Sequence, residues 1–111
     1  MDKLAFYQVC LRQILERYSR TSRPEDDETT RVITDLEHGH FALMSIGWKG
    51  KKRVFGTILH FDIQEGKIWV QRDGTDVGVA DELVELGVPK EDIVLGFQMP
   101  FKRKFSGFAT G

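Results

Sequence analysis

The chain has 111 residues, with 16 Lys or Arg and 17 Asp or Glu, so its formal net charge is −1. This length suits a single domain, and a hydrophobic share of 41% supports a buried core and excludes a chain that is disordered throughout. The balanced charge disfavours a protein whose main task is to hold a nucleic-acid duplex, because such proteins carry a marked basic excess. We therefore expect one domain over residues 1–111.

The cysteine content and the amino-terminal pattern indicate the compartment. Cys10 lies among apolar neighbours at helical spacing, where it acts as a small hydrophobe rather than as a nucleophile. A single thiol cannot form an internal disulfide, which fits a reducing cytoplasm. The first residues do not form a secretory signal, and no apolar stretch is long enough to cross a membrane. The sequence thus predicts a cytoplasmic protein without membrane contact.

The first two thirds of the chain change from helical to strand periodicity. Apolar residues at helical spacing predict a helix over residues 3–19 with Asp2 as its cap, and a polar connection follows over residues 20–28. The period then becomes two, and short breaks that contain glycine divide the pattern into four strands, as is typical of antiparallel neighbours. The predicted strands contain Val32 and Ile33, then residues 41–48, 53–63 and 67–71.

Helical spacing returns in the last third. A helix is predicted over residues 77–86, with Thr75 or Asp76 as its cap and Gly87 just past its end. Pro89 opens a short helical turn, and the apolar residues 93–97 fit either a small extra strand or a packed coil. The resulting order α-β-β-β-β-α predicts an α+β two-layer sandwich, a four-stranded antiparallel meander with both helices on one face.

The second face of this predicted sheet has no obvious cover. Strand alternation places Gly56, His60 and Asp62 on it, together with Trp48 or Trp69. Two short helices are too few to cover four strands and two tryptophans. We therefore expect a homodimer, since a second copy of the chain is the simplest cover.

Histidines and one aspartate form the one group of metal-ligand type in the sequence. His38 and His40 flank a predicted turn, and His60 and Asp62 share a strand face. A zinc-type site needs three of these groups to converge. Because His38 adjoins Gly39 in the turn and no cysteine contributes, we interpret the histidines as surface and hydrogen-bonding residues and expect no metal.

Two patterns weakly resemble catalytic or nucleotide sites. Asp35 with Glu65-Gly66-Lys67 is similar to the site of restriction-type nucleases, in which carboxylates hold Mg²⁺ and a lysine stabilises developing charge. Here, however, Gly66 places Glu65 and Lys67 in a predicted hairpin turn. Residues 71–75 (QRDGT) precede a helix start, where amides can hold a phosphate, but the glycine-rich nucleotide loop is missing. We expect no catalytic residue and no cofactor, and keep Arg72 as a candidate phosphate or partner contact.

Two basic clusters adjoin aromatic residues. One surrounds a hairpin beside Trp48, and we interpret it as a solvated turn: it consists of Lys49, Lys51, Lys52 and Arg53. The other lies near the carboxyl terminus and provides further candidate partner or phosphate contacts, which are Lys102, Arg103 and Lys104. Cations interleaved with aromatic rings can bind phosphates and stack on bases.

The aromatic residues of the carboxyl terminus allow two interpretations. In one, the segment is a mobile basic arm. In the other, Phe101, Phe105 and Phe108 are structural anchors that hold it on the folded body or on a dimer partner. We favour anchoring, because three phenylalanines in eight residues are costly to leave in water.

Three segments carry a resemblance to a known family. They are residues 68–75 (IWVQRDGT), 83–93 (LVELGVPKEDI) and 100–111 (PFKRKFSGFATG). With them the chain resembles the XisI family, the fdxN element excision controlling factors of cyanobacteria, over most of its length. The resemblance implies a role in controlling excision of a DNA element during heterocyst development, where a site-specific recombinase exchanges the strands and XisI is required together with the XisH protein.

From the residues and the resemblance we expect a non-enzymatic accessory or regulatory factor that acts through protein partners, with a XisH-type partner implied by the resemblance. The alternatives are a direct DNA-binding accessory factor and a metal-dependent nuclease component. Salt-dependent duplex binding would favour the first alternative. Mg²⁺ bound near Asp35 or Glu65 would favour the second.

Overall fold

One five-stranded mixed sheet organises the chain, which the structure, a computed structural model, describes over residues 2–21 and 28–111. The elements in chain order are α1 (Lys3–Thr21), β1 (Thr29–Asp35), β2 (His40–Lys49), β3 (Lys52–Gln64), β4 (Lys67–Asp73), α2 (Val79–Glu85), a 3₁₀ turn (Lys90–Asp92), β5 (Ile93–Leu95) and α3 (Pro100–Arg103). The polar connection expected at residues 20–28 lies mostly outside the described residues. Within the described ranges, no helix has the length and apolar character needed to span a bilayer.

The sheet differs from the prediction at one edge. Strands β1 to β4 form the expected antiparallel meander, but β5 pairs with β4 in parallel, Ile68 opposite Ile93 and Val70 opposite Leu95. A sheet of four antiparallel strands is therefore wrong on this point, although the class, α+β, is confirmed. The crossover through α2 and the 3₁₀ turn is long enough to bring the chain back in the parallel direction. Of the two interpretations of residues 93–97, the short strand is the one observed.

The core lies between α1, α2 and one face of the sheet. The buried side chains of the core come from all three parts: Tyr7, Cys10, Leu11, Ile14, Leu15, Phe41, Leu43, Leu59, Phe61, Ile68, Val70, Val79, Leu83, Val88 and Ile93. Each large side chain contributes about 1.5–3 kcal/mol by burial. Helix α1 begins as expected, since the Ala5 amide donates to Asp2 Oδ1 at 2.8 Å. Burial raises the pKa of the Cys10 thiol, in agreement with a packing role.

The start of α2 is capped by a residue other than those predicted. The helix begins at Val79, and its amide donates to Asp73 Oδ2 at 3.0 Å across the preceding loop. Asp73 Oδ1 also accepts from the amide and the hydroxyl of Thr75, at 2.9 and 2.5 Å. The last residue of β4 thereby organises the entire turn into the helix. Gly87 ends the helix as expected, with a φ of 110°.

The carboxyl-terminal segment, residues 96–111, lies on the sheet face opposite α1 and beside β5. The guanidinium of Arg103 stacks over the Trp69 ring, 5.1 Å from its centroid, and Trp69 alternates with the core residues Ile68 and Val70. The Ala109 amide donates to the carbonyl of Ile93 at 2.8 Å. The two predicted helices, α1 and α2, thus share one face as expected, and the short, unpredicted α3 belongs to the segment on the opposite face.

A polar contact joins the amino end of α1 to the 3₁₀ turn at the sheet edge. The Tyr7 hydroxyl donates to Asp92 Oδ2, and Lys3 Nζ lies 2.8 Å from the same oxygen. Burial alone would raise the pKa of Asp92, but the bonds from Lys3 and Tyr7 hold it below its ordinary value. Burial and the same hydrogen bond raise the pKa of Tyr7.

We expect this contact to make stability acid-sensitive. Because the pKa of Asp92 is lowered on folding, its contribution is present above the ordinary value of 3.8 and is lost as the pH falls through the lower folded value. Urea unfolding of the wild type between about pH 5 and pH 2 should show a steeper loss of stability than Asp92→Asn does. Glu91→Gln, at the exposed neighbouring position, is the control and should follow the wild type. Identical acid profiles for Asp92→Asn and the wild type would contradict the assignment.

Candidate functional site

Two histidines of neighbouring strands converge on one aspartate. His40 Nδ1 lies 2.7 Å from Asp62 Oδ1, and His60 Nε2 lies 2.8 Å from the same oxygen. Gln71 Nε2 donates to the second oxygen, Oδ2, at 3.2 Å. The residues meet because His40 lies directly opposite Asp62 across β2 and β3, and His60 precedes Asp62 by two positions on the same face. We call His40, His60 and Asp62 the His-Asp-His cluster.

The electrostatics of the cluster follow from its hydrogen bonds. The bond to Asp62 raises the pKa of His40, against a smaller opposing effect of burial. Burial alone would raise the pKa of Asp62, but the bonds from His40, His60 and Gln71 together hold it below its ordinary value. Asp62 is therefore a buried carboxylate at neutral pH, whereas the side chains of His40 and His60 remain 55% and 36% exposed. The carboxylate of the cluster is buried in the sheet, and its two histidine rings are accessible to solvent.

The remaining residues of the sequence-predicted sites do not join this cluster. His38 lies in the turn, where its ring and amide pair with Asp35 at 2.9 and 3.1 Å. Glu65 occupies the β3–β4 turn with a φ of 51°, and Lys67 Nζ donates to the carbonyl of Gly111. Asp35, Glu65 and Lys67 thus each have a local structural role, and the described residues that converge at metal-ligand distances include none of them.

The start of α2 does not offer an anion site. The carboxylate of Asp73 already occupies it and accepts from the Val79 amide. Gly74 is held by its own amide, which donates to the carbonyl of Ile58 at 2.8 Å. Arg72, predicted here as a phosphate or partner contact, is exposed opposite His60 across β3 and β4.

An apolar surface remains uncovered on the same side of the sheet as the cluster. Register and strand alternation place its members on one face, which we call the open sheet face: Ile33, Met44, Ile46, Trp48 and Phe55. Exposure reaches 52% at Ile33, 47% at Trp48 and 66% at Phe55. The Arg53 guanidinium lies 5.3 Å from the Trp48 ring and 5.8 Å from the Phe55 ring, so one cation of the basic hairpin belongs to this face.

A one-residue shift in strand pairing creates this face. Leu43 pairs with Leu59 and Met44 with Thr57, so Ile58 is an extra residue in β3. Phe55 consequently turns away from the core side on which Leu59 and Phe61 are buried. Alternation without the extra residue would put Phe55 on the side of Leu59. The sequence-based prediction that Gly56 lies on the uncovered side is wrong for the same reason.

A second shift turns Gln71 toward the cluster. His60 pairs with Arg72 and Phe61 with Val70, which leaves Gln71 as the extra residue in β4. The sequence pattern puts Gln71 at the end of the predicted fourth strand, where residues 71–75 lead to a helix start, and does not predict its contact with Asp62. No short sequence pattern predicts this shift in strand register, because the register depends on how β4 pairs with β3.

The three carboxyl-terminal cations have different environments. Lys102 and Lys104 are exposed, and the ammonium of Lys104 lies 4.7 and 5.2 Å from the rings of Phe101 and Phe105. Arg103 instead points inward and donates to the carbonyls of Leu95, Gly96 and Gln98 at 3.1–3.3 Å. Its guanidinium thus has a structural anchoring role, and its role as a partner or phosphate contact stays a prediction.

The three phenylalanines are not equivalent either. Phe108 is half-buried and packs against the core, with Lys90 Nζ 6.0 Å from its ring. Phe101 and Phe105 are 64% and 74% exposed and contact each other edge to face. Anchoring on the chain's own body therefore rests on Phe108 and Arg103, and not on Phe101 or Phe105. For those two rings, contact with a second copy stays a prediction.

Taken together, these features define a small α+β protein with a half-covered sheet and an aspartate-centred polar cluster on the uncovered half. The family model described as XisI protein matches residues 1–110, and the chain belongs to the XisI family. No match was found among curated protein sequences.

Two solved structures are similar over almost the whole chain. A XisI-like protein from Anabaena variabilis ATCC 29413 shares 40% identity, covers 97% of this chain and 99% of its own, and superposes with a TM-score of 0.93. The fdxN element excision controlling factor XisI from the same organism shares 37% identity, with coverages of 99% and 100% and a TM-score of 0.87.

The environments of the cations predict different effects of mutation. We expect Arg103→Lys to lower the free energy of unfolding by about 1–2 kcal/mol, because a lysine cannot bind three carbonyls and stack on Trp69 together. Lys102→Ala and Lys104→Ala should stay within about 0.5 kcal/mol of the wild type. Urea denaturation measures all three. Equal stability of Arg103→Lys and the wild type would contradict the anchoring role.

Proposed function

We propose that this protein is a non-enzymatic accessory factor that controls excision of a DNA element through protein partners, in the cyanobacterial cytoplasm during heterocyst development. Membership of the XisI family and the likeness to an fdxN element excision controlling factor support this role. The observation that carries the mode of action is the open sheet face, with Ile33, Trp48 and Phe55 exposed on it. An apolar surface of this kind is typical of a binding site.

The arrangement of charged groups gives less support to the nuclease alternative. A nuclease of the restriction type needs carboxylates and a lysine that face one metal ion. Here Asp35 pairs with His38, Glu65 lies in a turn, and Lys67 binds the last carbonyl of the chain. Asp35 and Lys67 are thus each engaged with a different group.

The distribution of basic residues gives less support to direct DNA binding. Of the predicted contacts, Arg103 is engaged internally, which leaves Lys102, Lys104 and Arg72 on a chain with a net charge of −1. Two exposed lysines beside two exposed phenylalanines fit an acidic and apolar protein surface better than a duplex.

The open sheet face is also the proposed homodimer contact. Pairing this face about a two-fold axis buries Trp48 and Phe55 of both copies, at about 25 cal/mol per Å² of apolar surface. We expect sedimentation to show a dimer at micromolar concentration. Phe55→Glu should weaken the dimer at least tenfold, because a buried ring contributes about 1.5–3 kcal/mol.

The matched control is Val77→Glu, which changes a residue that is 71% exposed in the loop before α2. We expect this variant to remain dimeric. A monomeric wild type, or equal weakening by both variants, would remove the open sheet face as the homodimer contact.

Co-purification with the XisH-type protein of the same organism tests the accessory role. We expect capture without DNA, unchanged after nuclease treatment, and weaker capture for the double variant Lys102→Glu/Lys104→Glu. Lys51→Glu, a charge reversal at an exposed position in the hairpin turn, is the control and should capture normally. Capture that requires a duplex and falls steeply with salt would instead support the DNA-binding alternative.

A further inference from the structure

We propose that His40, His60 and Asp62 bind a divalent transition-metal ion of the zinc type. The sequence predicts no metal, because His38 adjoins Gly39 in the turn and no cysteine contributes; in the structure His38 pairs with Asp35. The fold brings the other three residues together without it, and within the described part of the chain they form the one group of this kind.

The ligand atoms lie close enough to form a metal centre once the side chains adjust. One nitrogen from each histidine and one carboxylate oxygen all lie within 4.8 Å of one another. Bonds of ~2.0–2.1 Å to a common ion require ligand atoms about 3.3 Å apart in a tetrahedral site and about 2.9 Å apart at adjacent octahedral positions. The observed separations of 2.7 and 2.8 Å from Asp62 Oδ1 lie close to the octahedral value.

The direction of the ligand atoms supports the same conclusion. His40 Nδ1 and His60 Nε2 both face Asp62 Oδ1, which can only accept, so each nitrogen carries a proton in the metal-free protein. An ion placed between them replaces these two protons, and each ring can hold its proton on the nitrogen that faces away. The same three atoms therefore serve either as a hydrogen-bonded triad or as a ligand set.

The surroundings of Asp62 hold the site in place. Gln71 Nε2 binds Oδ2 and so orients Oδ1 toward the histidines, as outer-shell groups do in metal sites. The ligands come from the paired strands β2 and β3, and Ala42, opposite His60, adds no bulk between them. Because both histidines are partly exposed, water can complete the coordination.

The donor set selects the class of ion. Two imidazoles and one carboxylate favour Zn²⁺, Co²⁺, Ni²⁺ or Fe²⁺, whereas Mg²⁺ and Ca²⁺ prefer oxygen ligands alone. This distinguishes the proposed site from the Mg²⁺ site that a nuclease would need.

Metal titration of the full chain, purified without a histidine tag, tests the proposal. Co²⁺ at about pH 7.5 should produce visible absorption bands that saturate at one ion per chain and disappear on addition of Zn²⁺. Calorimetry with Zn²⁺ should give the same stoichiometry. His40→Gln and His60→Gln should each lower the affinity by about 10- to 100-fold or more.

The matched control is His38→Gln. This variant removes an exposed histidine from the turn before β2, and we expect it to bind the metal as the wild type does. Circular dichroism confirms the fold of each variant, and since His40 is exposed, His40→Gln keeps the test valid even if changes nearer to Asp62 unfold the chain. Absence of saturable Co²⁺ and Zn²⁺ binding would leave a hydrogen-bonded triad only and overturn the proposal. Binding that survives both His40→Gln and His60→Gln, or falls equally in His38→Gln, would overturn it as well.

Discussion

The pairing of β3 with both of its neighbours is the constraint on which the rest of the structure depends. On one side of this strand, the side chains of Leu59 and Phe61 lie in the core, where both are fully buried. The other side carries the partly exposed His60 and the buried Asp62. Both one-residue register shifts involve β3, one against β2 and one against β4. They decide which residues reach the core, which form the open sheet face and which complete the polar cluster.

The carboxyl-terminal segment divides the second face of the sheet into two parts. It covers β4 through the stack of Arg103 on Trp69 and the bond of Lys67 to the last carbonyl, whereas β1 to β3 stay open. Arg103 binds backbone carbonyls, whereas its two lysine neighbours and two phenylalanines lie at the surface. The segment is basic and aromatic throughout its sequence, but in the structure one part is anchored on the fold and the other part is exposed.

The cluster and the open sheet face lie on the same side of the molecule, which relates the two proposals to each other. A partner seated on Trp48 and Phe55 would approach along the strands that also carry His40 and His60. A metal ion held there would tie β2 to β3 next to the binding surface, and its exposed positions would face the partner. The membership of the XisI family supports the accessory role, whereas the metal proposal rests on the geometry of three side chains alone.

The sequence by itself determined the α+β class, the antiparallel order of the first four strands, the Asp2 cap and the glycine end of α2, because periodicity, caps and turns are local properties. The recognition of the XisI family also needed only local motifs, and it is confirmed. Tertiary structure decided the parallel β5, the turn of Phe55 away from the core and the role of Arg103. It also brought Gln71 to Asp62 and left His38 outside the cluster. Each of these depends on which partner a residue meets across the fold, and strand register and long-range contacts are not encoded in any short segment.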